Sequence, residues 1–320
     1  MSGPNAAIGI DIGGTGAKGA IVDENGGIVM RAERPTDATA GTKTILSVAD
    51  ELLESGKDAA RIVAIGVGAA GFIDFEQGSV TFSPNLVYDD PHVEQAISAR
   101  FGLTCAVDND ANAAVWGERR FGSVKGLDDV VMLTLGTGIG SGIIVNGHMM
   151  RGSTGAGAEL GHVVVDREGP QCGCGLRGCI EQLASGRAIE REAAEAVQRD
   201  PSSSILDIAG SPGQITGRDV AKAAREMDPT AREILRKAGT WLGIGLSNIA
   251  NIFDPDAIVL TGSVVDAGEP YLGPARDTLA GMTQAQRRRP LRLDVSTLKH
   301  DAGVLGAAAL ALEKHSRISN

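Results

Sequence analysis

The feature that most constrains this chain is a repeat. Asp11-Ile-Gly-Gly-Thr-Gly-Ala-Lys-Gly-Ala-Ile-Val22 aligns without a gap on Thr134-Leu-Gly-Thr-Gly-Ile-Gly-Ser-Gly-Ile-Ile-Val145. Each copy is followed by a turn and a second apolar stretch, Ile28 to Arg31 and His148 to Arg151. The second turn holds Asn146-Gly147, a strong signal for a two-residue hairpin. Each copy therefore predicts a strand, a glycine-rich bend and a returning strand. The spacing is too wide for a solenoid and points to two related domains.

Between and after the copies, helix and strand signals alternate. Helices are expected over 42–56, 91–101, 111–119, 185–199, 217–226, 229–252 and 303–315, with Asp110 placed as an N-cap of the third. Strands are expected over 61–67, 104–107, 257–261 and 291–295, and residues 200–216, rich in Pro, Ser and Gly, as a long surface loop. Alternation of this kind predicts α/β architecture with two domains and a cleft between them. Trp116 and Trp241 fall in helical periodicity and are expected in the core, as is Cys105 in its strand.

Composition removes several function classes. A formal charge of −10 does not suit a general nucleic-acid binder, and Arg287-Arg-Arg289 beside Pro290 is expected to be a solvated turn. No apolar run approaches the roughly 20 residues that span a bilayer. The N-terminus lacks a signal-peptide pattern, so a cytoplasmic protein is expected. Glycine supplies 44 of 320 residues, about twice the usual ~7% share, without a collagen period. Tight turns and close backbone approaches are the remaining uses for so much glycine.

Four constellations could carry chemistry. The two glycine bends let backbone N–H groups face an anion, with Thr15 and Thr137 adding hydroxyls, so a facing pair could hold nucleotide phosphates; a ligand-free hairpin is the alternative. Lys18 does not complete a Walker A loop. Gly66-Val-Gly-Ala-Ala-Gly71 matches a dinucleotide fingerprint, but Phe72 to Phe82 reads as a hairpin around Gln77-Gly78 rather than the required helix, which excludes a dehydrogenase. Asp108-Asn-Asp-Ala-Asn112 ends a strand, where an aspartate could take a proton from a substrate hydroxyl or simply cap a helix. His162, Cys172, Cys174 and Cys179 supply the four ligands of a closed tetrahedral zinc site, which leaves no position for an activated water and makes the ion structural. Folding that loop also brings Glu159 and Glu181 into one neighbourhood, a donor and acceptor set suited to a polyhydroxy ligand.

From Ile10-Asp-Ile-Gly-Gly-Thr15, through Gly157-Ala-Glu-Leu-Gly-His162 and Cys172-x-Cys-Gly-x-x-Gly-Cys-x-Glu181, to Asp301-Ala-Gly-Val-Leu-Gly-Ala-Ala308, the chain resembles the ROK family of sugar kinases and repressors. It is most similar to the zinc-containing bacterial glucokinases of that family, relatives of actin, Hsp70 and hexokinase. The resemblance implies two ribonuclease-H-like domains: residues 1–118 joined by the C-terminal helix 303–320, and residues 119–302 with the zinc loop. It implies Asp110 as the general base for the 6-hydroxyl of glucose, and Asn85, Asn109, Glu159, His162 and Glu181 as hydrogen-bonding partners of the sugar ring, His162 binding zinc through its other nitrogen. Asp11, Gly13, Gly14, Thr15 and Lys18, with Gly136, Thr137 and Gly138, would cradle the phosphates of Mg2+-ATP, and Gly262 and Ser263 would lie near the adenosine. Family habit implies a homodimer or homotetramer.

Two departures from the family pattern stand out. Lys18 is displaced by two positions, as in polyphosphate-using glucokinases, yet those relatives generally lack the cysteine cluster, which favours ATP. Lys299-His300 replaces the more usual Gly-Asp pair. A sugar-sensing repressor would carry a helix-turn-helix domain ahead of Asp11, where ten residues stand, and an idle paralogue would have lost its carboxylates. Mannose, N-acetylmannosamine or fructose remain open as alternative sugars.

Overall fold

The computed structural model describes residues 5–282 and 289–319. Both copies of the repeat fold as expected, into β1 (Asn5–Ile12) with β2 (Gly16–Asp23) and, later, β8 (Val130–Leu135) with β9 (Ile139–Val145). After the first pair come β3 (Ile28–Pro35), α1 (Gly41–Gly56), β4 (Arg61–Ala69), the hairpin of β5 (Phe72–Asp74) and β6 (Ser79–Phe82), α2 (Val93–Phe101), β7 (Thr104–Asn109) and α3 (Asp110–Phe121). The second half adds β8 (Val130–Leu135), β9 (Ile139–Val145), β10 (His148–Met149), α4 (Glu181–Ala184), α5 (Gly186–Arg199), α6 (Ser204–Ala209), α7 (Gly217–Arg225), α8 (Pro229–Phe253), β11 (Ala257–Thr261), α9 (Glu269–Met282), β12 (Arg292–Val295) and α10 (Ala302–Ser319).

The two sheets share one strand order. The first runs β3-β2-β1-β4-β7, with β1, β2 and β3 antiparallel and β4 and β7 parallel additions. The second runs β10-β9-β8-β11-β12, again with an antiparallel hairpin edge and a parallel β11–β12 pair. Residue contacts divide the chain into one unit of residues 1–130, 142–158 and 296–320, and another of 131–141 and 159–295.

In the first unit helices cover both faces of the sheet, which is why its strands read as nearly unbroken apolar runs. Ile8, Ile10, Ile12 and Ile65 pack with Ile45, Val48 and Leu52 of α1 and Ile97 of α2. On the other face Ala7, Ala20, Val63, Ala64 and Ala106 meet Val304, Leu305, Ala308 and Ala311 of α10. Here glycine is required by proximity. A Cβ on Gly9 would strike the Val304 carbonyl and one on Gly66 the Ala307 carbonyl, so α10 lies directly on the strands. This answers the G-x-G-x-x-G match: Gly66 serves helix packing, and β5–β6 forms the expected hairpin after it.

Three expectations need correction. Residues 200–216 are not one loop: Ser203 caps α6 by accepting from the Ile205 amide, and Asp228 accepts from the Ser204 amide at 2.7 Å and the Ser203 hydroxyl at 3.1 Å. Trp116 is 8% exposed and in the core, but Trp241 is only half-buried, because it sits at the edge of the α8 stripe Ala238, Leu242, Leu246 and Ile249. Of the basic run, Arg287 and Arg288 lie outside the described residues, while exposed Arg289 pairs with Asp254 and Asp256. Lys299 adopts a left-handed φ of 51°, which accounts for glycine being the more usual residue there.

Candidate active site

The strand-to-helix turn at the end of β7 is held from several sides. The third correction concerns its cap. β7 continues through Asn109, whose side-chain oxygen accepts from the Ala111 amide at 2.9 Å and the Asn112 amide at 3.2 Å. Asn109 is thus the cap, because it is the last extended residue, and Asp110 is the first residue of α3 rather than its cap. The Asp110 carboxylate is half-buried, accepts from the Ala111 amide at 2.9 Å, and lies at the positive end of the α3 dipole. Asn109 also donates its amide to the Gly71 carbonyl at 3.1 Å.

Behind this turn stands a brace that local sequence patterns do not reveal. Buried Asp108 accepts through one oxygen from the Asn109 backbone at 2.8 Å and the Asn112 side chain at 2.9 Å. Its other oxygen receives Nε and Nη2 of Arg151 at 2.9 and 2.7 Å, and that guanidinium lies 3.6 Å from the Phe75 ring centroid. A charged pair this well satisfied is costly to break from one side. Asp108 and Arg151 are 43 residues apart, so only the fold joins them.

The first glycine bend sits beside the same turn. Gly13 N closes it on the Gly16 carbonyl at 3.0 Å, and Asp11 stands directly across the ladder from Lys18. Loss of water around Asp11 pushes its carboxyl up to about 7; the charge of Asp110 adds to this and Lys18 opposes it. A Cβ on Gly303 would come within 2.6 Å of an Asp11 carboxylate oxygen, so α10 needs glycine where it passes. Exposed Asn85 approaches the bend through its backbone, 3.3 Å from a Cβ placed on Gly14.

The second bend has different neighbours. Gly136 N closes it on the Gly138 carbonyl at 3.0 Å, and Gly186 N donates back to the Gly136 carbonyl at 2.8 Å. Glu181 accepts from the Ile139 amide at 3.0 Å, and a Cβ on Gly138 would overlap its carboxylate. Gly136, Thr137, Gly186, Glu190, Arg218 and Ser263 line a cavity of about 470 Å³ within the second unit. Gly262, with φ of 96°, presses on the Leu135 carbonyl and so turns the chain after β11 toward that cavity. The lining residues from α5 and α7 were not expected, since tertiary packing alone brings them to the bend. Glu159, although exposed at its surface, has its carboxyl held above the usual range by surrounding protein, with His162 lowering it and Glu181 raising it.

The ligand atoms of His162, Cys172, Cys174 and Cys179 lie within 4.8 Å of one another. His162 Nδ1 is 3.5 Å from Cys172 Sγ, and Cys174 and Cys179 Sγ are 3.6 Å apart. A tetrahedral zinc with bonds of about 2.3 Å to sulfur needs ligand atoms roughly 3.5–3.8 Å apart, so the set fits. The turn is tight: Gly175 N donates to the Cys172 carbonyl and Cys172 N to the Leu176 carbonyl. Gln182, steadied by Arg191, directs its amide to Cys172 Sγ at 3.8 Å, a supporting residue that the ligand spacing does not disclose.

Residues 7–314 match the profile of the ROK family. The chain belongs to the ROK family. The glucokinase of Streptomyces coelicolor is 38% identical over 310 residues, covering 96% of this chain and 97% of that protein. A glucokinase of Thermotoga maritima is 36% identical over the same share of both. A solved ROK-family glucokinase from Streptomyces griseus, in complex with glucose and AMPPNP, superimposes with a TM-score of 0.83 at 38% identity, covering 96% of this chain and 99% of that one. The mixed α/β fold is that of the ROK sugar kinases, with the actin-like ATPase topology that the family resemblance implied. Among the described residues no helix is long and apolar enough to cross a membrane.

Proposed function

We propose that this ROK-family chain transfers the γ-phosphoryl group of ATP to the 6-hydroxyl of glucose. The observation that carries the reading is the similarity, over nearly the whole length of both chains, to glucokinases that include one solved with glucose and AMPPNP. In the mechanism, Asp110 accepts the proton of the 6-hydroxyl as that oxygen attacks phosphorus, the bond to the ADP oxygen breaks, and the phosphoryl group moves to the sugar. Asp110 opens α3 at the positive end of its dipole, and the Asp108–Arg151 brace steadies the turn that carries it. Asn85, Asn109, Glu159, His162 and Glu181 hold the ring hydroxyls, and the two glycine bends hold the phosphates, with Asp11 and Lys18 behind the first.

The cavity beside the second bend supports ATP over polyphosphate as donor, because a chain of phosphates has no nucleoside to fill it. Gly262 and Ser263 flank the adenosine. Mg2+ arriving with ATP neutralises phosphate charge. A zinc ion on His162, Cys172, Cys174 and Cys179 is structural, and because His162 Nδ1 faces the sulfurs, Nε2 remains for a sugar hydroxyl. The protein acts in the cytoplasm as a homodimer or homotetramer.

A coupled assay of ADP formation tests the reading across glucose, mannose, N-acetylmannosamine and fructose, with ATP and polyphosphate as donors. The highest kcat/KM is expected for glucose with ATP. A preference for another hexose or for polyphosphate overturns it.

A further inference from the structure

The first unit contains a second cavity, of about 480 Å³, that the reaction above does not use. Its apolar wall is made by Phe75, Trp116, Met149 and Leu310, from β5's following turn, α3, β10 and α10. Basic Arg151, Lys314 and Arg317 and acidic Glu76 and Glu313 complete it, with His148 at the edge. The charges are not equally available. Arg151 gives Nε and Nη2 to Asp108 and keeps Nη1. Lys314 pairs with Glu94 at 2.6 Å and is one-third exposed. Glu313 takes the Trp116 indole N–H at 3.2 Å and lies 3.4 Å from Arg120. Among the described residues Arg317 and Glu76 make no close ion pair, although the charge of Arg317 acts on Glu313. His148 is committed through Nδ1 to the Asn146 carbonyl at 2.7 Å.

We propose that this cavity is a second small-molecule site, for a phosphorylated sugar. A concave pocket with apolar walls and a few convergent polar groups is the usual form of a ligand site. Arg317, whose charge also faces Glu313, together with the remaining N–H groups of Arg151 and Lys314, suits a phosphate dianion. Carboxylates of Glu76 and Glu313 accept from hydroxyls, and the Phe75 and Leu310 surfaces take the apolar face of a sugar ring. Burial pushes the Glu313 carboxyl up, opposed by Arg120, the Trp116 indole N–H, Arg317 and Arg119. The occupant touches Arg151, and Arg151 holds Asp108 against the Asn109–Asp110 turn, so the site is wired to the catalytic base. The proposal rests on the kinase reading only in that the reaction itself makes a molecule of this class.

The chain has two tryptophans, so Trp241→Phe leaves Trp116 as the sole reporter on the cavity wall. Glucose 6-phosphate is titrated into that variant at saturating glucose, with inorganic phosphate in a parallel titration. A saturable change in Trp116 emission is expected. Adding Arg317→Glu should weaken it by about tenfold or more, since reversing a phosphate-binding charge removes a charge-assisted bond and adds repulsion. Arg317→Lys should retain binding, inorganic phosphate should bind more weakly than the sugar phosphate, and kcat and the glucose KM should not change in either Arg317 variant. No saturable change, or curves that Arg317→Glu leaves unaltered, would overturn the site. An Arg317-dependent signal in a chain that turns over no glucose would instead refute the kinase reading and leave the site standing.

Discussion

The two glycine hairpins share a backbone and differ in what it carries. In the gapless alignment Asp11 of the first copy corresponds to Thr134 of the second, and Lys18 to Ser141. The first copy therefore places a carboxylate and an ammonium opposite each other across a ladder, next to Asp110. The second keeps only hydroxyls there, and Ser141 spends its own on the Leu160 amide at 3.0 Å, steadying the segment that leads to His162. Around the second bend the acid comes from elsewhere, as Glu181 under Gly138, and a cavity of about 470 Å³ opens beside it. Under the proposed function the bend supplies main-chain groups for an anion in both copies; two side-chain positions set what packs beside it.

This division can be attacked mutation by mutation. The largest effect is expected on the side of the first hairpin: Asp110→Asn should lower kcat by about 10²–10⁴-fold with little change in glucose affinity, read by steady-state kinetics and calorimetry. Next, on the second side, Cys172→Ser should strip zinc and raise the glucose KM by about tenfold or more while sparing the ATP KM, checked by metal analysis beside kinetics. Gly138→Ala should raise the glucose KM more modestly by displacing Glu181, with kcat less affected. The smallest effect concerns stability. Because the folded carboxyl of Asp11 sits at about 7 against an ordinary 3.8, the folded state binds more protons between those values. Its contribution thus grows as pH falls from about 7 to about 4, and Asp11→Asn should flatten that slope in thermal unfolding of the ligand-free protein. An equal flattening by Thr134→Asn would erase the distinction between the copies.

Much of this was legible from residue order. The repeat announced both hairpins, and apolar periodicity located most strands and helices because helices on both sheet faces force continuous hydrophobic runs. The cysteine spacing brought His162, Cys172, Cys174 and Cys179 together as the fold does. What stayed hidden depends on distant partners. α6 hides in a Pro- and Ser-rich stretch because Asp228, far along the chain, secures its start. The capping role fell on Asp110 rather than Asn109 because only the sheet pairing shows how far β7 extends. Arg151 reaches Asp108, and α5 and α7 reach the second bend, through packing that no local pattern encodes.

The most direct measurement follows the phosphorus itself. With Mg2+-ATP and glucose, ³¹P NMR of the unmutated protein should show ADP and glucose 6-phosphate appearing in equal amounts. Glucose binding with ATP left intact, or a phosphoryl group found on another hydroxyl, would contradict a kinase in which Asp110 deprotonates the 6-hydroxyl.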